Sequence, residues 1–226
     1  MHPLDNVIWQ ALTTRQRQFA ESFGQARRFV REVTSLTAFE QPDPEGYEAL
    51  AYLIGPRATA AVFLPSPYEA REGWSLVGGA PLLEMVSANG GFPKADRGIQ
   101  IHELGSQDSP EMVQLAALTK PGPFGTRTHE LGTYLGIRDD GKLVAMAGER
   151  LKVPGYTEIS AVCTHPDHIG KGYARVLMAE LMQRIHTRDE TAFLHVRQDN
   201  ARAIELYERL GYHTRVIVHY VILRKE

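Results

Sequence analysis

Two stretches of this chain carry residues whose types and order suit chemistry. The first reads Glu158-Ile-Ser-Ala-Val-Cys-Thr-His-Pro166, then Gly170-Lys-Gly-Tyr-Ala174. The second reads Asn200-Ala-Arg-Ala-Ile-Glu-Leu-Tyr207, followed by Leu210-Gly211-Tyr212. In the first, an apolar strand runs into a glycine-rich turn that opens a long helix, striped with Leu177, Met178, Leu181, Met182 and Ile185. The first N–H groups of a helix have no intrahelical acceptor, and glycines leave them uncovered, so the turn suits phosphate oxygens. A lone Gly-x-Gly is also an ordinary tight connection. No Gly-Lys-Ser/Thr sequence occurs, which disfavours a nucleoside triphosphatase.

Taken together, the order and spacing of these motifs resemble the GCN5-related N-acetyltransferase (GNAT) superfamily, most closely its FR47-like branch, over roughly residues 97–224. The family's glycine pattern lays onto Ile169, Gly170, Lys171, Gly172, Tyr173 and Ala174. The glycine and alanine match, but Ile169 stands where Arg or Gln is usual. Phosphate contacts are therefore expected mostly from backbone amides of residues 170–175, ending at Arg175, with Lys171 adding charge or remaining an ordinary solvated lysine. The resemblance implies acetyl-CoA as co-substrate, with Val162, Cys163 and Thr164 on a strand that splays from its neighbour and leaves backbone groups for the pantetheine amides. It implies that Asn200 and Ala203 help to hold the coenzyme. Tyr207 is expected near the thioester sulfur as a proton donor to the leaving thiolate. A core tyrosine on the helix face is the alternative.

Acetyl transfer to an amine needs a neutral nucleophile, and a carboxylate within hydrogen-bond reach can take the proton. Glu158 sits where histone-type members of the superfamily place that base; a glutamate in an ion pair at a strand end is the alternative, and Glu149 is the reserve candidate. Period-two alternation puts Glu158, Ser160, Val162 and Thr164 on one face, and Ile159, Ala161 and Cys163 on the other. Cys163 thus reads as a small buried hydrophobe rather than a nucleophile. His165 and His168 lack a third ligand nearby, so no metal is expected.

The elements that must position these residues follow from pattern. Ile99–Leu104 reads as a strand, Ser109-Pro110 as a helix start with Ser109 as cap, and Thr126–Leu131 as a short second helix. Asp140-Gly141 marks a hairpin between strands 134–138 and 143–150. Strand 157–164, helix 174–186, strand 192–196, helix 201–210 and one or two strands within 214–224 complete an α/β GNAT fold. That fold implies a mixed, mainly antiparallel central sheet with a splayed strand pair, flanked by helices. Upstream, residues 6–33 read as one or two helices, 45–54 as a helix, and 58–64 and 81–86 as strands. A Gly/Pro-rich linker spans 89–98. The expected division is a small α+β unit at 1–96, with no chemical motif, and an acetyltransferase domain at 97–226.

The 226 residues, 43% hydrophobic, suffice for a packed core, and a net charge of −2 gives no footprint for nucleic acid. The single cysteine fits a reducing compartment, and the absence of a long apolar run points to a cytoplasmic protein with no membrane partner. The implied activity is acetyl transfer from acetyl-CoA to a primary amine in a ternary complex. A glycine-N-acyltransferase-like enzyme and a catalytically silent CoA-binding protein are the alternatives. The acceptor's identity and homodimer formation stay open.

Overall fold

The computed structural model describes residues 2–88 and 98–226; the expected linker at 89–98 lies almost wholly outside the described residues. The strands are β1 (Ala20–Phe23), β2 (Ala26–Phe29), β3 (Thr37–Phe39), β4 (Thr59–Leu64), β5 (Trp74–Ser87) and β6 (His102–Leu104). They continue as β7 (Tyr134–Asp139), β8 (Lys142–Val153), β9 (Tyr156–Thr164), β10 (Thr191–Arg197) and β11 (Tyr212–Lys225). The helices are α1 (Val7–Thr13), α2 (Pro44–Ile54), α3 (Ser109–Thr119), α4 (Tyr173–His186) and α5 (Ala201–Arg209).

Among the described residues eight strands form one sheet in the order β4-β11-β5-β10-β9-β8-β7-β6; β1, β2 and β3 form a second, smaller one. All pairs in the large sheet are antiparallel except β9 with β10. Neighbouring residues feed opposite faces, which is why both faces are covered. Leu194 joins Leu177, Leu181 and Ile185 beneath α4, whereas Phe193 joins Val7, Ile8 and Leu12 of α1. Met146 packs under Met112 and Leu115 of α3.

The sheet corrects the expected division of the chain. β5 lies between β10 and β11, so residues from before the linker sit inside the sheet that was assigned to residues after it. β11 is one 14-residue strand rather than two, and β5 takes the place beside β10. At Gly79 a Cβ would collide with the Tyr220 carbonyl, so the close crossing of β5 and β11 requires glycine there. Residues 6–33 hold only one helix, α1, followed by a short 3₁₀ turn and the β1–β2 hairpin, which turns at Gly24 with φ +47°. Phe19, Phe23 and Phe29 mimic helical spacing, but turn chemistry at Gly24 wins.

Elsewhere the local signals hold. Asp43 accepts from the Gly46 amide at 2.8 Å and caps α2. Asp140 and Gly141 both have positive φ, as a two-residue hairpin turn demands. Ser109 is not the cap of α3: its hydroxyl donates to the Thr126 carbonyl, and Asp108 occupies the cap position. Among the described residues no helix is long and apolar enough to cross a membrane.

Removing residues 1–97 strips β5 from between β10 and β11 and exposes two long apolar edges. The remaining fragment should give no cooperative thermal transition by circular dichroism. A native-like melt with retained CoA binding would restore the division into two independent units.

Candidate active site

β9 and β10 pair for three residues only, Tyr156 to Glu158 against Thr191 to Phe193, and then part. Beyond Glu158 the β9 backbone has no strand neighbour on that side among the described residues, while β10 continues on β5. The gap widens into a cleft of about 1300 Å³. Its walls are Ile159–Thr164 and His195–Arg197. Loop 119–124 and the start of α4 close it, together with Asn200, Ala203, Leu206 and Tyr207.

The glycine turn sits at the mouth. Gly170 and Gly172 have φ of +91° and +79°, and a Cβ at either would meet nothing within 4 Å. Glycine is needed there for backbone conformation, and the space above the amides is open. The first bond of α4 runs from the Val176 amide to the Gly172 carbonyl at 3.2 Å, so the amides of Tyr173, Ala174 and Arg175 precede the ladder. Ile169 is exposed, and Lys171 lies 3.7 Å from Asp139, which also pairs with His168 at 2.9 Å.

β9 does not keep its expected alternation. Ser160 pairs with Gly148 and Cys163 with Met146, so Ala161 and Val162 stand together against Ala147. This is a β-bulge, with Ala161 at φ +53°. The extra residue sends Ile159 and Val162 toward α4, whereas Ala161 and Cys163 turn toward α3. Burial pushes the Cys163 thiol up to about 11, against smaller opposing effects of Thr119 and the Met146 backbone. It is a protonated core thiol.

Tyr207 projects from α5 onto the cleft wall. Burial foremost, with Cys163 nearby, raises its hydroxyl to about 12, so it remains an O–H donor at neutral pH. Asn200 caps α5 by accepting from the Ala203 amide at 3.2 Å.

Glu158 does not line the cleft. Fully buried, it takes Nε and Nη2 of Arg150 at 2.8 and 2.6 Å, the Leu151 amide at 3.3 Å and Nδ1 of His195 at 2.7 Å. Burial alone would raise its pKa, but the charge and hydrogen bonds of Arg150, with His195, hold the carboxyl down at about 2. The ion-pair alternative is therefore the one the geometry realises, and the base expected at Glu158 has neither access nor basicity. Glu149 fares no better: it is buried against Lys152 and Arg188, each at 2.8 Å, and also lies off the cleft. Burial works against its charge, and those two cations still keep its pKa low.

What faces the cleft is the arginine and histidine side of this network. Arg150 and His195 line it, with Ser160 and Tyr220. Behind them Glu84 of β5 lies 3.4 Å from His195 Nε2, aligned too poorly for a hydrogen bond, and is itself paired with Arg215. Burial disfavours the imidazolium, yet the contacts with Glu158 and Glu84 raise the His195 pKa. Arg150 and His195 went unnoticed in the sequence. The available signal was a charged residue inside an apolar strand, at Ala147-Gly-Glu-Arg-Leu151 and at Phe193-Leu-His-Val196. Among the described residues no group of three His, Cys, Asp or Glu side chains is placed to hold a metal.

Glu158→Gln leaves Arg150 buried without a counter-ion and should cost about 3–5 kcal/mol in urea denaturation. A depressed carboxyl contributes stability above its unfolded value and loses it as pH falls through its folded value. Wild-type stability should therefore decline as pH falls from the ordinary carboxylate range toward about 2, and the variant should lose that component of the decline. Equal stability of the two proteins would contradict this role.

Comparison with known proteins agrees with this architecture. The family model described as "FR47-like protein" matches residues 134–221, from β7 into β11. A GNAT-family protein of known structure from Novosphingobium aromaticivorans is 35% identical over 100% of both chains, with a TM-score of 0.92. A GCN5-related N-acetyltransferase from Kribbella flavida shares the fold at a TM-score of 0.68 and 19% identity, over 98% of this chain and 95% of that one. The N-alpha-acetyltransferase RimI of Mycobacterium tuberculosis is 33% identical over 107 residues; the match spans 44% of this chain and 66% of that relative, just under two thirds of its length. With the splayed strands, the bulge and the glycine turn in place, the full-length similarity at 35% identity places the chain in the GNAT superfamily.

Proposed function

We propose that the protein transfers the acetyl group of acetyl-CoA to a primary amine by direct attack in a ternary complex. The observation that carries this reading is convergence: unpaired β9 backbone, uncovered α4 amides and the Tyr207 side chain all open on one cleft. The pyrophosphate is read at residues 170–175, where amides rather than the missing Arg or Gln supply the donors and Lys171 adds charge. The pantetheine amides lie along Val162–Thr164, with Asn200 and Ala203 on the facing wall.

Chemistry follows from what borders the cleft. The amine nitrogen attacks the thioester carbonyl, and the bulge at Ala161 and Val162 frees an amide to stabilise the developing oxyanion. The C–S bond breaks, and Tyr207, still protonated, gives its proton to the departing thiolate. Among the described residues neither Glu158 nor Glu149 reaches the cleft, so water carries away the proton of the attacking amine. Arg150 assists by repelling an ammonium, which favours the neutral nucleophile.

Gly172→Val should remove acetyl-CoA binding in calorimetry while the protein still unfolds cooperatively, at a lowered temperature because φ +79° strains a β-branched residue. Unchanged affinity would place the coenzyme elsewhere. Tyr207→Phe should keep acetyl-CoA affinity and slow single-turnover acetyl transfer, by less than the ~10²–10⁴ expected for loss of an irreplaceable acid, because water can protonate sulfur. A wild-type rate would leave Tyr207 a packing residue. A thiol-release assay over amino acids, polyamines and aminoglycosides tests the activity itself, and no turnover with any amine would favour a silent CoA-binding protein.

A further inference from the structure

On the far side of the splay from β9, the strands β4, β11 and β5 build an apolar face that borders the cleft. Residues directly opposed in an antiparallel pair share one face of the sheet. Tyr220 of β11 opposes Phe63 of β4 on one side and Ala80 of β5 on the other. One step along, Ile222 opposes Ala61 and Gly78. The Phe63 and Tyr220 rings meet edge to face at 5.9 Å, and Phe63 also lies 4.6 Å from the His195 ring. Phe63, Ala80, Tyr220 and Ile222 all line the cleft, and each is only half-buried, so part of its apolar surface stays open to that space. On β5 the same face carries Gly78 and Ala80, and these small residues leave a trough beside the two large side chains of β11.

Charge decides what such a face accepts. Among the described residues Glu205 is the one acidic side chain that lines the cleft; it stands on α5 and is paired with Arg209. Arg150 borders the cleft as a fixed cation. A polyamine or an aminoglycoside would have to carry further ammonium groups past Arg150 and desolvate them on a face with no carboxylate, which is costly. A hydroxylated body would lose hydration against Phe63 and Ile222 without gaining a partner from them. An apolar ring loses nothing there. It covers the half-buried side chains, and ring contacts of the kind already present between Phe63 and Tyr220 add to the gain from burial.

We propose that the acceptor is a monoamine with an apolar, ring-bearing body, an aralkylamine in chemical class, and that Phe63, Ala80, Tyr220 and Ile222 receive that body. The proposal rests on the acetyl-transfer reading for the amine and names what the amine is attached to. The ring lies in the trough over Ala80 with its edge toward Phe63 and Tyr220, and a short alkyl spacer carries the nitrogen into the cleft.

The test is equilibrium binding of product-like probes to the full-length protein loaded with CoA, at neutral pH. N-phenethylacetamide should bind roughly 10- to 100-fold more tightly than N-acetylethanolamine, which keeps the amide and the spacer but has no ring. It should also bind more tightly than N-acetylputrescine, whose free ammonium meets no carboxylate on this face. Ala80→Leu fills the trough on a surface open to the cleft and should bring the first ratio down toward unity with CoA affinity kept. Tyr220→Ala removes the ring's neighbour and should act in the same direction. If neither variant retains CoA affinity, the wild-type ratio decides. Equal affinity for the ring-bearing and hydroxyl probes, tighter binding of N-acetylputrescine, or an unchanged ratio in both variants would overturn the proposal. So would tighter binding of phenylacetyl-CoA than of acetyl-CoA with a gain that Ala80→Leu removes, because the face would then serve the acyl group. Turnover of phenethylamine against ethanolamine separates the two readings. Equal kcat/KM overturns this proposal and keeps acetyl transfer; absence of turnover, with the ring-bearing probe still preferred in binding, removes acetyl transfer and keeps the apolar site.

Discussion

A fully buried carboxylate sits where two parallel strands part. Glu158 is the last β9 residue to pair with β10, and its side chain ties Arg150 of β8 to His195 of β10 across that point. Beyond β10 the chain of charges continues through Glu84 of β5 and Arg215 of β11 to Asp5 near the N-terminus. A buried ion network is a weak source of net stability, because desolvation offsets most of the attraction. Its effect here is geometric. It joins five adjacent strands at one level, and it keeps β9 and β10 together below that level while the backbone above is left to open. The cleft exists because the ladder stops where these side chains meet.

The same arrangement explains why the N-terminal residues belong to the active fold. Where β10 leaves β9 it keeps one strand partner among the described residues, on its opposite edge, and the edges facing the cleft stay unpaired. β5 supplies that partner and also brings Glu84 to His195. Leu36, Phe63, Gly79, Ala80 and Leu82, all from before the linker, line the cleft. The N-terminal part is thus both a structural neighbour of the splayed strands and a wall of the space between them.

Charge within the cleft is sorted by depth. Tyr207 keeps its proton because burial disfavours the phenolate, and Cys163 keeps its own for the same reason. Glu158 stays ionised despite deeper burial because two donors compensate it. Tyr207 and the Arg150 guanidinium therefore border the cleft, whereas Glu158 and Glu84 are enclosed behind it. That distribution suits an acyl transfer in which the enzyme stabilises negative charge on oxygen and sulfur and leaves the amine's proton to solvent.

The sequence by itself determined the local devices. Gly170 and Gly172 announced an uncovered helix start, Asn200 a cap, Asp140-Gly141 a hairpin, and the stripe on α4 a buried face, because each depends on neighbours within a few residues. The order of these devices was enough to identify the superfamily. Tertiary structure alone decided three things. It set the partner of β10, since β5 lies more than 100 residues away in the chain and an apolar strand does not encode which edge it joins. It inserted the bulge at Ala161, which period-two counting cannot foresee and which reassigns every face beyond it. And it turned Glu158 from the expected base into a counter-ion, because a carboxylate's role is fixed by the cations folded against it, and those came from two other strands.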